Sequence, residues 1–437
     1  MATHNNVMAT TLSVALSTLV FGLATLTQEL LIASAFGTSY RLDAFQLAFL
    51  PLSVLANVVA GGALHAAFVP TYVRIRSSDG TQGATDLFTS VSLNMLGLLL
   101  VAALLLGITF SGLLDLYASG QSQEAKKLSV SLFYILLPML LFGGICSLFS
   151  STLNALGYFA YPSLSQIFVP VMVIISILLL KDRFDIFSLA YGFVVGYALQ
   201  LVAVSGLLIR KKQFPRSKLK NPSPYKRKFI AQYLSVSISA MILGGMALVD
   251  QAMAATLETG SVSALAFATR PVTMFMAFST VVIGNATLPY FSEVAMISGR
   301  SAILPILKKW IIWIFLGGMI VTLGWEIFAE DIIKILYQRG AFTSENTTLV
   351  TEVQRYYIIQ IPFYLCGIIG MRAINALNEN KKLLVISMGC LLLNIGTGYI
   401  CMKILGLGGI ALSKSIVFIV WVFWILAILN YAPETKS

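Results

Sequence analysis

Residues 87–114 read LFTSVSLNMLGLLLVAALLLGITFSGLL and carry no charged side chain. A helix needs roughly 20 apolar residues to cross the hydrocarbon core of a bilayer, so this run is long enough to span one. Runs of the same kind recur on both sides of it, from the first few residues to the last few. Their spacing predicts about twelve spans, near 8–36, 42–73, 84–112, 128–150, 161–180, 186–209, 229–256, 261–292, 307–327, 348–375, 383–403 and 407–430. Composition agrees: 58% of the chain is hydrophobic and 11% charged, against roughly a quarter charged in a soluble domain. The expected fold class is an all-α polytopic membrane protein, with no stretch left over for a soluble domain.

No Lys or Arg precedes the first apolar run, so the first span is expected to be a retained helix, not a cleaved signal peptide. Cys146, Cys366, Cys390 and Cys401 lie in or beside apolar runs without CxxC spacing. They read as small core residues, not as a disulfide framework or a metal site. The net charge of +11 is spread between the spans, where membrane topology accounts for it better than nucleic acid does. With the N-terminus in the cytoplasm, Arg74, Arg76, the run from Arg210 to Lys228, Arg300, Lys308, Lys309, Arg372, Lys381 and Lys382 all fall inside. Asp115, Asp182, Asp185, Glu330, Asp331 and Glu345 then fall outside. An even span count puts both termini in the cytoplasm of a multi-pass protein. The segment 211–228, KKQFPRSKLKNPSPYKRK, is the only long hydrophilic connection and reads as a topogenic linker drawn to anionic membrane lipids.

The two halves share landmarks at an offset of roughly 220 residues. Ala44 to Pro51, closed by Pro70 and Tyr72, returns as Ala264 to Pro271, closed by Pro289 and Tyr290. Leu153-Asn154-Ala155-Leu156 returns as Ile374-Asn375-Ala376-Leu377, and Tyr134 to Pro138 returns as Tyr357 to Pro362. Six spans per half is an even number, so the expected architecture is two parallel six-helix bundles, 1–210 and 229–437, joined by the basic linker 211–228. Parallel repeats of this kind suit a transporter that rocks about a central site. Prolines 51, 138, 170, 271 and 362 and the paired glycines at 61, 143, 244 and 317 suit bending gates, and equally suit a static bundle.

Ionisable groups inside the bilayer cost about 2.5–3.5 kcal/mol each on insertion scales, so each needs a partner or a wet cavity. The candidates are Gln28 and Glu29 late in the first span, Asp43 at the start of the second, Asp250 and Gln251 in the seventh, Arg270 in the eighth and Lys414 in the last. Asn57, His65, Asn154, Asn285, Asn375 and Asn394 add neutral polar groups. Arg270 presents a permanently charged fork that fits phosphate oxygens, and it equally fits a structural pairing with Glu29 or Asp43. Asp250 is either a cation ligand, with Asn394 as co-ligand, or a neutral hydrogen-bonded residue. His65 reads as a bridge between helices ahead of a proton relay, and Glu29 as a proton carrier or a carboxyl reaching the interface. There is no GxxxxGK[ST] loop, no metal-ligand cluster and no GxSxG elbow, so the expectation is a non-enzymatic protein with no organic cofactor. The work it does would draw on a coupling cation, Na⁺ or H⁺, on the membrane potential or on the substrate gradient.

Three stretches resemble the MviN/MurJ lipid-flippase family of the multidrug/oligosaccharidyl-lipid/polysaccharide exporter superfamily. Leu42-Asp43-Ala44-Phe45 with Gly62 to Pro70 is similar to the family's "TDAF … EGAFSQAFVP". Val249-Asp250-Gln251-Ala252 through Gly260-Ser261 to Arg270 is similar to its seventh and eighth helices. Leu336 to Thr343, LYQRGAFT, is similar to its "LFQ-x-G-x-FT" element. The resemblance implies a MurJ-like and MATE-like fold and a carrier of lipid-linked glycan precursors, typically lipid II, working in a bacterial cytoplasmic membrane. It further implies cationic side chains facing the diphosphate in a central cavity. Carried over residue by residue, Arg270 matches, while Gln28-Glu29 stands where the family has Arg-Asp. Val54 to Ala63 stands where the family has two arginines and a glutamate. The implied substrate-binding set is Arg270, Glu29, Gln28, Asp43 and Asn57, with Asp250 and Asn394 for ion coupling.

With the resemblance, three functions are open. Alternating-access transport of an undecaprenyl-diphosphate-linked glycan for peptidoglycan or surface polysaccharide is the first, with cell-wall or polysaccharide biosynthesis proteins as partners. A cation-coupled multidrug exporter is the second, and a non-transporting scaffold for envelope assembly the third.

Overall fold

The computed structural model describes residues 2–60, 62–215, 241–242, 244–377 and 379–431. Most of the linker 211–228 and the first half of the expected span 229–256 therefore lie outside the described residues. Among the described residues the regular elements are helices. They run α1 Ala2–Phe36, α2 Tyr40–Ala60, α3 Gly62–Ser78, α4 Gly80–Tyr117, α5 Gln123–Ala155, α6 Ala160–Ser165, α7 Phe168–Phe184 and α8 Phe187–Arg210. After a helical stretch over 244–254 come α9 Ser261–Ile327, α10 Ala329–Tyr337, α11 Ser344–Ile358, α12 Ile361–Ala376 and α13 Asn380–Tyr431.

Nine of the described helical segments are long and apolar enough to cross a membrane, or ten when α11 and α12, bent by 41°, count as one broken span. Two features reconcile that number with the twelve expected. The seventh expected span is only partly described. The segment Lys382–Asn430 is 49 residues long, about twice what one crossing needs, and it reverses at Gly406 (φ 58°, ψ −131°), so it holds two spans. The expected span 42–73 runs through α2 and α3, which are described on either side of residue 61, and α2 has the length and hydropathy of a crossing.

The chain forms two compact units, Met1–Gly244 and Gly245–Ser437. Their helix ends repeat at one offset: Tyr40 and Ser261 begin equivalent helices, and Gln123–Ala155 maps onto Ser344–Ala376. Capping repeats as well. Ser122 accepts from Ala125 N–H and Thr343 from Asn346 N–H, each closing an orphan donor of a helix start. Leu156 (φ −86°, ψ −2°) and Leu377 (φ −83°, ψ 0°) end the two copies in the same way.

In the first unit, α5 packs against α2 and α8, and α8 lies on α7. The α7–α8 contact depends on two glycines. A Cβ at Gly192 would stand 2.7 Å from Val173 Cα, and one at Gly196 2.7 Å from Val169 Cα, so the backbones meet directly through a G-x-x-x-G face. In the second unit, α9 packs on α11 and α12, and α12 on α13. Met246, Phe291, Leu307, Ile369 and Ile425 help fill its core. Gly318 makes room for Pro362, and Gly367 for the Trp421 ring. Outward-facing side chains such as Leu104, Ile108, Leu179, Trp313 and Ile404 are exposed, as a lipid-facing surface requires.

The LYQRGAFT element is a turn held by its own side chains. Gly340 takes φ 59°, a left-handed conformation natural to glycine. Tyr337 and Phe342 pack on each other and on Phe267 of α9, Gln338 accepts from the Thr347 hydroxyl, and Thr343 caps α11. Arg339 donates to the carbonyls of Ile335 and Leu336, which the end of α10 leaves unsatisfied. Cys146, Cys366 and Cys390 are buried, Cys401 is half-buried, and all four are free thiols.

Candidate functional site

The best-defined polar site in the apolar interior is in the second unit and centres on Asp250. Asn394 Nδ2 donates to Asp250 Oδ1 at 2.9 Å, and Lys414 Nζ lies 2.6 Å from Asp250 Oδ2. A straight helix would hold residues 394 and 414 about 30 Å apart. They meet at one carboxylate because α13 reverses at Gly406. Asn394 is fully buried, and the pair Lys414–Asp250 keeps side-chain exposures of only 9% and 13%. Facing a carboxylate, the Asn394 amide must present its nitrogen. Its oxygen is then left buried with no hydrogen-bond partner, as is Gln251 Oε1. Tyr357 of α11 lies within electrostatic reach of the same carboxylate.

The sequence singled out Asp250, Asn394 and Lys414, and the structure brings all three together. The Lys414 partnership was the missed step. Its signal was present, since a lone acid and a lone base in apolar helices have each other as the least costly partner. By the offset that relates the two units, Asp250 corresponds to Glu29, while Asn394 and Lys414 correspond to Val173 and Phe193. An acid thus occupies the same repeat position in both units, and only the second unit supplies a lysine at the matching place.

The expected substrate residues divide between the units. Gln28 and Glu29 are buried on α1, which packs against α6 and α7. Asp43 is 0% exposed in the first turn of α2, where the helix dipole favours a carboxylate. Neither Glu29 nor Asp43 is without a partner. Asn57 is exposed on α2. His65 Nδ1 lies 3.2 Å from Ser151 Oγ, whose hydroxyl already donates to Ser147 O, so the imidazole is the donor and bridges α3 to α5.

Arg270 is in the second unit, half-buried on α9, and it too is engaged by a partner. Beside it, the fully buried Gln354 joins α11 to α9 twice. It accepts from Trp325 Nε1 at 3.2 Å and donates to Ala268 O at 3.3 Å, which fixes the backbone two residues before Arg270. Nothing in the sequence pattern marked Gln354. Arg372, placed by charge among the cytoplasmic basic residues, lies inside α12. Its guanidinium packs on Gly284, where any Cβ would collide with it, and its Nε is buried without a hydrogen-bond partner.

Among known proteins, the sequence model of the family described as lipid II flippase MurJ matches residues 32–434. The probable lipid II flippase MurJ of Bdellovibrio bacteriovorus is 24% identical over 405 residues, covering 90% of this chain and 77% of that protein. That of Thermotoga maritima is 25% identical over 410 residues, covering 94% and 82%. A solved lipid II flippase MurJ in an inward closed conformation superposes with a TM-score of 0.79 at 23% identity, over 98% of this chain and 88% of the other. An inward-facing multidrug resistance MATE family transporter superposes with a TM-score of 0.74 at 16% identity, over 96% of each chain. At these identities the two superpositions establish a shared fold.

Proposed function

Because the chain belongs to the lipid II flippase MurJ family, we propose that it is a transporter that flips lipid II, or an equivalent undecaprenyl-diphosphate-linked glycan, across a bacterial cytoplasmic membrane. The observation that carries this reading is the extent of the family match, residues 32–434, which takes in both units and reaches Asp43, Asn57, Asp250, Arg270 and Asn394. Transport proceeds by alternating access, with the head group held by polar side chains while the lipid tail stays in the bilayer. Arg270 supplies the fork for the diphosphate, and Gln28, Glu29, Asp43 and Asn57 are the further candidate substrate residues. Both termini and the segment 211–228 face the cytoplasm, where the basic residues meet anionic lipid. Enzymes of cell-wall or surface-polysaccharide synthesis supply and consume the substrate.

The test is rescue of a bacterium depleted of its own lipid II flippase. Expression of this chain restores growth and cell-wall incorporation. Failure to rescue, with protein present in the membrane and with resistance to cationic dyes increased instead, would assign the chain to drug export.

A further inference from the structure

The sequence reading left room for a coupling cation at Asp250 and Asn394, and the geometry there does not fit one. Lys414 Nζ is 2.6 Å from Asp250 Oδ2, the position a bound cation would need, and Asn394 Nδ2 takes the other carboxylate oxygen. Two like charges do not share one carboxylate cheaply in a site this dry. We propose that the Lys414 ammonium is a covalently tethered cation for Asp250, which fills the site beside Asn394 in place of Na⁺ or another metal ion.

Three observations converge on it. The carboxylate is already neutralised from within the chain. The lysine is held there by the reversal at Gly406, so its position is built into the backbone and not into a mobile side chain alone. The orphaned oxygen of the buried Asn394 amide, to which Lys414 does not donate, is a spare acceptor suited to a hard cation. With the ammonium removed and the Asn394 amide turned over, Asp250 and Asn394 present a cluster of oxygen donors in an apolar surround, the donor set that small hard cations prefer. The second unit therefore reaches its charge-compensated packing without taking up an ion, and shortening Lys414 exposes a latent Na⁺ site.

The test reads stability without substrate, so it can fail while the flippase reading stands. Thermal unfolding of the purified full chain is followed in NaCl and in choline chloride of equal ionic strength. Wild type unfolds at the same midpoint in both salts. Lys414→Ser unfolds several degrees lower in choline chloride, and Na⁺ raises its midpoint in a saturable way, as a ligand of the folded state must. Asp250→Asn/Lys414→Met, which removes both charges, folds and ignores Na⁺. A Na⁺-specific rise in wild type, or a folded Lys414→Ser without one, overturns the proposal. Should Lys414→Ser fold in neither salt, the double variant decides. Its recovery shows that the loss was an uncompensated carboxylate. An equal failure shows that the lysine stem serves packing, and the proposal falls.

Discussion

Asp185 and Gly406 adopt the same backbone conformation, φ 48°, ψ −130° and φ 58°, ψ −131°, at equivalent places in the two units. Each turns the chain between the last two long helical stretches of its unit: α7 into α8 in the first, and the two arms of α13 in the second. Glycine reaches this region freely, and an aspartate does so under strain. In the first unit the Asp185 carboxylate is held by Arg41 at 2.7 Å.

The two positions therefore respond oppositely to substitution. Gly406→Ala costs about 1–3 kcal/mol of stability through backbone strain alone. Asp185→Gly removes comparable strain and forfeits a half-exposed ion pair worth about 0–1 kcal/mol, so it leaves the protein as stable or more so. Thermal unfolding in detergent separates them, with Gly396→Ala, where a Cβ meets nothing within 4 Å, as the control. Equal effects at 185 and 406 would show that the turn conformation carries no strain.

The α7–α8 seam gives a second contrast within one helix. Gly192→Val and Gly196→Val drive side-chain atoms into the Val173 and Val169 backbone, an overpacking that costs about 1–3 kcal/mol each. Gly206→Ala, in open space on the same helix, is neutral or stabilising because alanine favours the helix. Folded yield and unfolding midpoint of the three variants measure this, and a tolerated Gly192→Val would mean the two helices separate readily.

Much of this architecture was legible in the sequence, and the reason is physical. A bilayer imposes a length and an apolar composition on every span, so α4, α5 and α8 announce themselves. The Leu153-Asn154-Ala155-Leu156 and Ile374-Asn375-Ala376-Leu377 tetrads marked the repeat because both close equivalent helices at the same leucine cap. At the site, residue type identified Asp250, Asn394 and Lys414, but only the reversal at Gly406 says that two positions on one helix reach one carboxylate. Gln354 gave no signal, because it sits in a polar helix start, and Arg372, near the end of the expected span 348–375, was counted with the cytoplasmic charges.

Topology rests on charge asymmetry and is tested by chemistry at chosen points. Single cysteines introduced as His4→Cys, Lys218→Cys and Glu434→Cys, in a background lacking the four natural thiols, stay unlabelled by an impermeant maleimide in intact cells. All three label once the membrane is opened. Labelling of any of them in intact cells would reverse the assignment of that segment.

On the proposed function the chain moves a diphosphate-linked glycan lipid and Arg270 recognises its charge. The most direct measurement is the appearance of fluorescent lipid II in the opposite leaflet of vesicles containing the purified full chain. Wild type transfers the lipid well above protein-free vesicles. Arg270→Ala, folded and inserted, loses about ten- to hundredfold in rate at limiting substrate, the worth of about 1.5–3 kcal/mol of charge-assisted hydrogen bonding, and Arg270→Lys recovers part of it. Transfer by wild type no faster than in protein-free vesicles would rule out flipping of this lipid, and transfer by Arg270→Ala equal to wild type would rule out charge recognition by Arg270.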